Sequence, residues 1–246
     1  MRILLGVFCI LFYPVTWAQI LSTDDGGLEV KEEVKEITEE PIPKSGLEIY
    51  FGISPAYTYR TLEEREGIFG KDPAYRTAET GEWVSSFSGG IRNELNKHLF
   101  FEVGVGYFRN RVSYDFKEPD SVFSYIHTYR HIAFPVRIAY TYGKDVSLYG
   151  ALGVIPKAFI GMKEELTTLD ISNKETTEER IFREGYNLIL LDAVASLGTR
   201  IKFNRNYGIF ALIEARTQLT DNFDKQSPFV RRPYALGFNV GFQIYL

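Results

Sequence analysis

From Leu47 to the C-terminus, apolar residues alternate with small or polar ones, and aromatic and β-branched residues dominate. This period of two is the signature of β-strands with one apolar face. Eight such runs occur, at about 47–60, 82–95, 99–114, 125–142, 146–162, 187–203, 207–219 and 234–246. Three connections are tight: Asn96-Lys97-His98, Gly143-Lys144-Asp145 and Asn204-Arg205-Asn206. Their residues suit hairpin turns. Four are longer, at 61–81, 115–124, 163–186 and 220–233. Short turns at one end and long loops at the other predict an all-β fold, an eight-stranded antiparallel up-and-down transmembrane β-barrel. The even strand count places both ends of the barrel segment on the short-turn side, expected to be periplasmic.

Strand number alone does not separate a membrane barrel from a soluble lipocalin. The direction of the alternation does, because a soluble barrel hides its apolar face and a membrane barrel shows it to lipid. In the last run, Tyr234, Leu236, Phe238, Val240, Phe242, Ile244 and Leu246 share one face, against Ala235, Gly237, Asn239, Gly241, Gln243 and Tyr245. In the third, Leu99, Phe101, Val103, Val105 and Tyr107 oppose Phe100, Glu102, Gly104, Gly106 and Phe108. The seventh sets Ile209, Ala211, Ile213, Ala215 and Leu219 against Glu214, Arg216 and Gln218. The fourth sets Ile132, Phe134, Val136, Ile138 and Tyr140 against His131, Pro135, Arg137 and Thr141.

By parity, Arg92, Glu94, Glu102, Arg137, Asp192, Arg200, Glu214 and Arg216 point inward. An unpaired charge in a closed interior is costly. These four acids and four arginines are therefore expected to form an internal ion-pair network, with small residues beside the long ones. Several runs exceed the roughly 9–11 residues that cross a membrane, so the excess should project as a hairpin rim on the long-loop side. Tyr57, Tyr59, Tyr140, Tyr142, Tyr149, Tyr207 and Tyr234 near strand ends suit interfacial girdles.

The N-terminus reads differently. Met1-Arg2, the apolar run Ile3–Phe12, Pro14 and the small residues before Gln19 predict a cleaved signal peptide at 1–18. Cys9, the only cysteine, lies within it, so no disulfide or thiol chemistry is expected afterwards. Residues 19–46 carry a net −5 and contain Asp24-Asp25-Gly26-Gly27 and Pro41-Ile42-Pro43. They read as a disordered acidic periplasmic linker. Residues 47–246 are then neutral within the overall −4, which gives no basic surface for nucleic acid. No later segment has the 18 or so consecutive apolar residues of a membrane helix. The expected location is a Gram-negative outer membrane.

The segment Tyr129-Arg130-His131-Ile132-Ala133-Phe134-Pro135-Val136-Arg137-Ile138-Ala139-Tyr140 resembles the inward-proline strand of the PorT-like outer-membrane β-barrel family of Bacteroidota. Gly143-Lys144-Asp145 and Val146–Gly153 are similar to that family's following hairpin, and Ala18-Gln19 to its signal-peptide sites. The resemblance implies a barrel at 47–246 and its location, and the family shares no catalytic motif. One member assists type IX secretion, and no residue here singles that member out. Leu246 also departs from the terminal phenylalanine that many such barrels carry.

The chemistry-bearing residues are few. His98 lies in a short turn, while His127 and His131 share the inward face of the fourth run. Four residues of strand separate those two by about 13 Å, too far to share one metal ion. Ser124 is close to His127 in sequence, but no nucleophile elbow is present. Loop 163–186 has no calcium-loop spacing. No enzyme, cofactor or metal site is expected, with a lipid-modifying barrel enzyme as the minor alternative. Contact residues are sought in the loops: Phe69 and Tyr75 in one, Phe223, Phe229, Arg231 and Arg232 in another. Aromatics beside arginines either make a binding surface or fold down as a cap. The expected function is a non-enzymatic, monomeric barrel in contact with outer-membrane lipid. Its long loops or its tail would meet a protein partner, and an accessory of a secretion or assembly machine is the alternative.

Overall fold

The computed structural model describes residues 46–64, 79–118, 121–169, 174–223 and 229–246. The segments expected to be a signal peptide (1–18) and a linker (19–46), all but residue 46, and Phe69 and Tyr75 lie outside the described residues. The strands are β1 (Leu47–Glu64), β2 (Thr80–Asn96), β3 (Leu99–Glu118), β4 (Ser121–Ala133), β5 (Val136–Gly143), β6 (Val146–Leu169), β7 (Glu175–Phe182), β8 (Ile189–Lys202), β9 (Tyr207–Gln218) and β10 (Phe229–Tyr245).

All pairings are antiparallel; β3 pairs with both β4 and β5, β6 with β4, β5, β7 and β8, and β10 closes the ring on β1 from Glu48↔Tyr245 to Glu64↔Phe229. The ten strands make eight staves, because β4 and β5 are one stave interrupted at Phe134-Pro135, and β7 and β8 follow one another along the same side of β6. Pro135 has no N–H to give to the ladder. The gap is bridged by Phe134 N donating to Pro156 O at 2.9 Å and Gly104 N donating to Pro135 O at 3.0 Å. The proline side chain is buried, on the face shared by Ala133 and Arg137.

The tight turns fall where the sequence places them. Gly143 takes φ +124° at the β5–β6 turn, a backbone that side-chain-bearing residues rarely adopt. Two of the long loops are not loops. β3 and β4 stay paired as far as Glu118↔Ser121, and segment 163–186 is largely the β6–β7 hairpin, paired from Met162↔Phe182 to Leu169↔Glu175. Thr167, Thr168, Thr176 and Thr177 give that hairpin its β-forming faces. The segment reads as a long connection in the sequence, but the charges of an exposed two-sided strand do not oppose pairing.

The outer wall is apolar. Leu152 is 69% exposed, Leu197 67%, Ile213 56% and Leu236 56%. Arg92, Glu102 and Gln243 inside are at most 1% exposed. Polar within and apolar without is the surface of a membrane-spanning barrel. On β3 the belt runs from Leu99 to Tyr107, about 20 Å along the membrane normal for a tilted strand. Tyr57, Tyr140, Tyr142, Tyr207 and Tyr234 are exposed on the outer wall near its edges. Tyr149 is an exception to the expected girdle: it faces the lumen and is 1% exposed.

Candidate functional site

The strand registers bring alternating charges into one row across the floor of the lumen. Glu48 sits opposite Arg92, Arg92 opposite Glu102, and Glu102 opposite Arg137, on four successive staves. Cross-strand neighbours of opposite charge stabilise a sheet. Here the contacts are buried: Arg92 Nη1 lies 2.8 Å from Glu48 and its Nε meets Glu102, while Arg137 Nε is 3.1 Å from Glu102 Oε2. From across the barrel, Arg200 Nη2 reaches Glu48 at 2.5 Å, and Arg137 Nη1 lies 3.2 Å from Glu214. Arg216 Nε is 3.5 Å from Glu214 and its guanidinium covers the Phe108 ring at 4.6 Å.

Neutral groups fill the remaining valences. Gln243 Oε1 accepts from Arg200 Nε at 3.0 Å, Tyr149 Oη donates to Glu102 at 2.7 Å, and Asn239 Nδ2 donates to Glu214 at 3.0 Å. Tyr50 lies against Arg92 and Arg137. Its hydroxyl fits because Gly90 and Gly104 have no Cβ, which would stand 2.8 and 2.6 Å from it. Higher up, Lys157 Nζ is 2.6 Å from Asp192 and donates to Gln218 Oε1 at 3.1 Å. The stack is removed from solvent, so the lumen is a filled core and not a pore.

Seven of the eight sequence-derived network residues lie in this stack. Glu94 does not: it is exposed at the short-turn mouth, next to a register shift in β2. Parity gives the face but not the depth, and at the mouth an inward-facing carboxylate still meets water. Glu48 does the work expected of Glu94. Lys157 was also missed, although it shares a face with Tyr149, Ala151 and Ile155, and that alternation would have found it.

Above the belt a second cluster caps the barrel. Glu79 is paired with Arg60 at 2.5 Å and Arg231 at 2.6 Å, and accepts from Tyr125 Oη at 2.7 Å. Arg231 lies over the Tyr129 ring at 4.8 Å and the Phe223 ring at 5.8 Å. Phe223 is held by Tyr186, ring centroids 5.5 Å apart, and by Asn187 Nδ2 donating to its carbonyl at 2.6 Å. Phe223 and Arg231 are therefore buried cap residues and not an exposed contact surface. Burying the ring and satisfying the guanidinium inside outweigh leaving both in water. Arg232, next along the strand, is exposed; Phe229 pairs through its backbone with Glu64. Burial alone would raise the Glu79 carboxyl, but the Arg231 and Arg60 guanidiniums outweigh it and hold the group below the usual carboxylate range.

The histidines do not assemble a hydrolase. His127 Nε2 lies 2.8 Å from Glu164, and burial holds this imidazole, also above the belt, below the ordinary histidine range. Ser124 is three residues away, so strand parity puts its hydroxyl on the other face of β4. His131 is fully buried, its ring 5.6 Å from that of Phe159. Among the described residues, no three metal-ligating side chains converge.

No protein-family model and no curated protein matches the chain. Solved structures do. Neisserial surface protein A is similar at 12% identity and TM-score 0.45, over 82% of this chain and 98% of that one. The outer membrane protein OprG of Pseudomonas aeruginosa is similar at 11% identity and TM-score 0.47, over 80% and 96%. The outer membrane protease OmpT of Escherichia coli is similar at 8% identity and TM-score 0.43, over 83% and 98%. At these identities the likeness is one of fold.

Proposed function

We propose that the protein is a non-enzymatic outer-membrane barrel that acts from its loop end, binding a partner there and stabilising the envelope. The observation that supports this reading is a charge-filled lumen beneath a sheet that rises above the apolar belt. A filled lumen offers no route for solute, so activity moves to what projects. The projecting sheet is formed by the upper parts of β3, β4 and β6 with β7. β7 is exposed along its whole length, and among the described residues it pairs with β6 alone. An open strand edge accepts an added strand from a partner, and Glu175, Glu178, Glu179 and Arg180 guard it against unspecific pairing.

The test is fractionation with gel mobility before and after boiling, followed by crosslinking from Thr177. A heat-modifiable outer-membrane band and a crosslinked partner are expected. Removing 164–180 in register, with a two-residue turn in its place, should leave insertion intact and abolish the crosslink. A soluble periplasmic protein would overturn the membrane reading, and an unaffected crosslink would remove the partner from β7.

The second reading is an accessory of a secretion or envelope-assembly machine of the PorT-like kind. Support comes from the segment 129–153 with its inward-facing Pro135. Crosslinking from residues 19–46 tests it, and recovery of no envelope partner would count against it.

A further inference from the structure

The apolar outer wall gives way to arginine in one quadrant. On β3 the outward positions run Leu99, Phe101, Val103, Val105, Tyr107, then Arg109 and Arg111. On β4 the outward Ile132 is followed upwards by Arg130. Register sets Tyr107 opposite Ile132 and Arg109 directly opposite Arg130. Like charges directly opposite destabilise a sheet unless something compensates them. Inside the barrel and in the cap, arginines meet carboxylates; among the described residues these three form no ion pair. Arg109 Nε donates to the Ser85 carbonyl at 2.8 Å, and its guanidinium lies 5.9 Å from the Tyr107 ring centre. The Nε atoms of Arg111 and Arg130 are out of contact with water and lack a hydrogen-bond partner. Glu82, on the adjoining strand, accepts from Ser113 at 2.6 Å.

Below this cluster begins a shallow apolar depression of about 840 Å³ that runs round the wall from Ile132 and Tyr107 past Phe87, Gly89 and Phe51 to Ile209. The Phe51 ring lies across Gly89, where a Cβ would come within 2.7 Å of it. The quadrant thus joins an uncompensated cationic cluster, at the height of lipid headgroups, to a recess at the height of acyl chains. Guanidiniums suit phosphate oxygens, and basic side chains at a membrane interface attract anionic lipid.

We propose that Arg109, Arg111 and Arg130 bind the phosphate of a phosphorylated lipid in the leaflet on the loop side, with its acyl chains in the depression beneath. This rests on the membrane reading above. The test is native mass spectrometry of the folded barrel in detergent. The probes are lipid A, a multiply acylated bis-phosphorylated glucosamine lipid, and its dephosphorylated form, each with and without inorganic phosphate. Lipid A should be retained at least about tenfold better than the dephosphorylated form. The combination Arg109→Gln, Arg111→Gln and Arg130→Gln should erase that preference, and Arg232→Gln on the opposite wall should not. If the triple variant fails to fold, each single Arg→Gln variant is expected to lose part of the preference. Equal retention of both lipids, a preference that survives every one of these changes, or full displacement of lipid A by inorganic phosphate would overturn the proposal. A heat-modifiable barrel that shows no lipid preference defeats this proposal alone; a chain that never inserts defeats the membrane reading as well.

Discussion

The lumen floor and the cap above the belt both bury arginines against glutamates, but they are closed in different ways. On the floor, Glu48, Arg92, Glu102 and Arg137 come from four neighbouring staves, and each central member has a charged neighbour on both sides. In the cap, one carboxylate, Glu79, holds Arg60 and Arg231, and the rest of the closure is aromatic. The floor is a ladder fixed by register, so losing one member strands its neighbours. The cap depends on a single anion and on chain segments outside the belt, so it can loosen while the barrel stands.

The largest expected effect is on the floor. Glu102→Ala leaves Arg92 and Arg137 without their shared carboxylate, and the loss should be about 3–5 kcal/mol. Denaturant titration of the detergent-folded barrel measures it, and a change near zero would show that the ladder is not a unit. Lys157→Met strands Asp192 and should cost about 3 kcal/mol, read in the same way.

The cap should respond less. Glu79→Gln should cost about 1–3 kcal/mol and raise protease sensitivity near Phe223 while leaving heat-modifiability unchanged. Its pH dependence follows from the lowered carboxyl. The stabilisation is fully present above the ordinary glutamate range, near pH 4.5, and is lost as pH falls through the lower value of the folded state. Acid should therefore open the cap of the native protein, and the Glu79→Gln variant should respond less, keeping only the share that His127 contributes. Limited proteolysis across pH 7 to 3 distinguishes the two. The smallest effect is at the short-turn mouth. Glu94→Gln, exposed at that end, should change stability by no more than about 0.5 kcal/mol. A loss comparable to that of Glu102→Ala would put Glu94 back into the network.

Much of the barrel was legible because a strand has only two faces. Once the apolar side of β10 is seen to be continuous from Tyr234 to Leu246, the residues between must face inward, and the same reasoning finds Arg92, Glu102 and Arg137. It failed where depth or context intervened. Glu94 has the right parity at the wrong height. The charged β6–β7 hairpin reads as loop because its pattern carries no buried face. For Phe223 and Arg231 the sequence left a binding surface and a cap both open, because the residues around the start of β10 carry no clear period to say which way they turn. Tyr149 reads as a girdle residue by its place near a turn, although its parity already pointed it at Glu102.

By itself, the sequence determined that this chain alternates with a period of two, that its apolar face is continuous, and that its opposite face carries balanced charge. Those facts are local, because the backbone of a strand sends successive side chains to opposite sides whatever lies beyond it. Only the tertiary structure decided which charges meet. Pairing depends on register between staves that are distant in sequence, such as Glu48 with Arg200 and Arg137 with Glu214. The same closure decided that Phe223 and Arg231 turn inward as a cap, and that Arg109 comes to face Arg130 on the outer wall with no carboxylate between them.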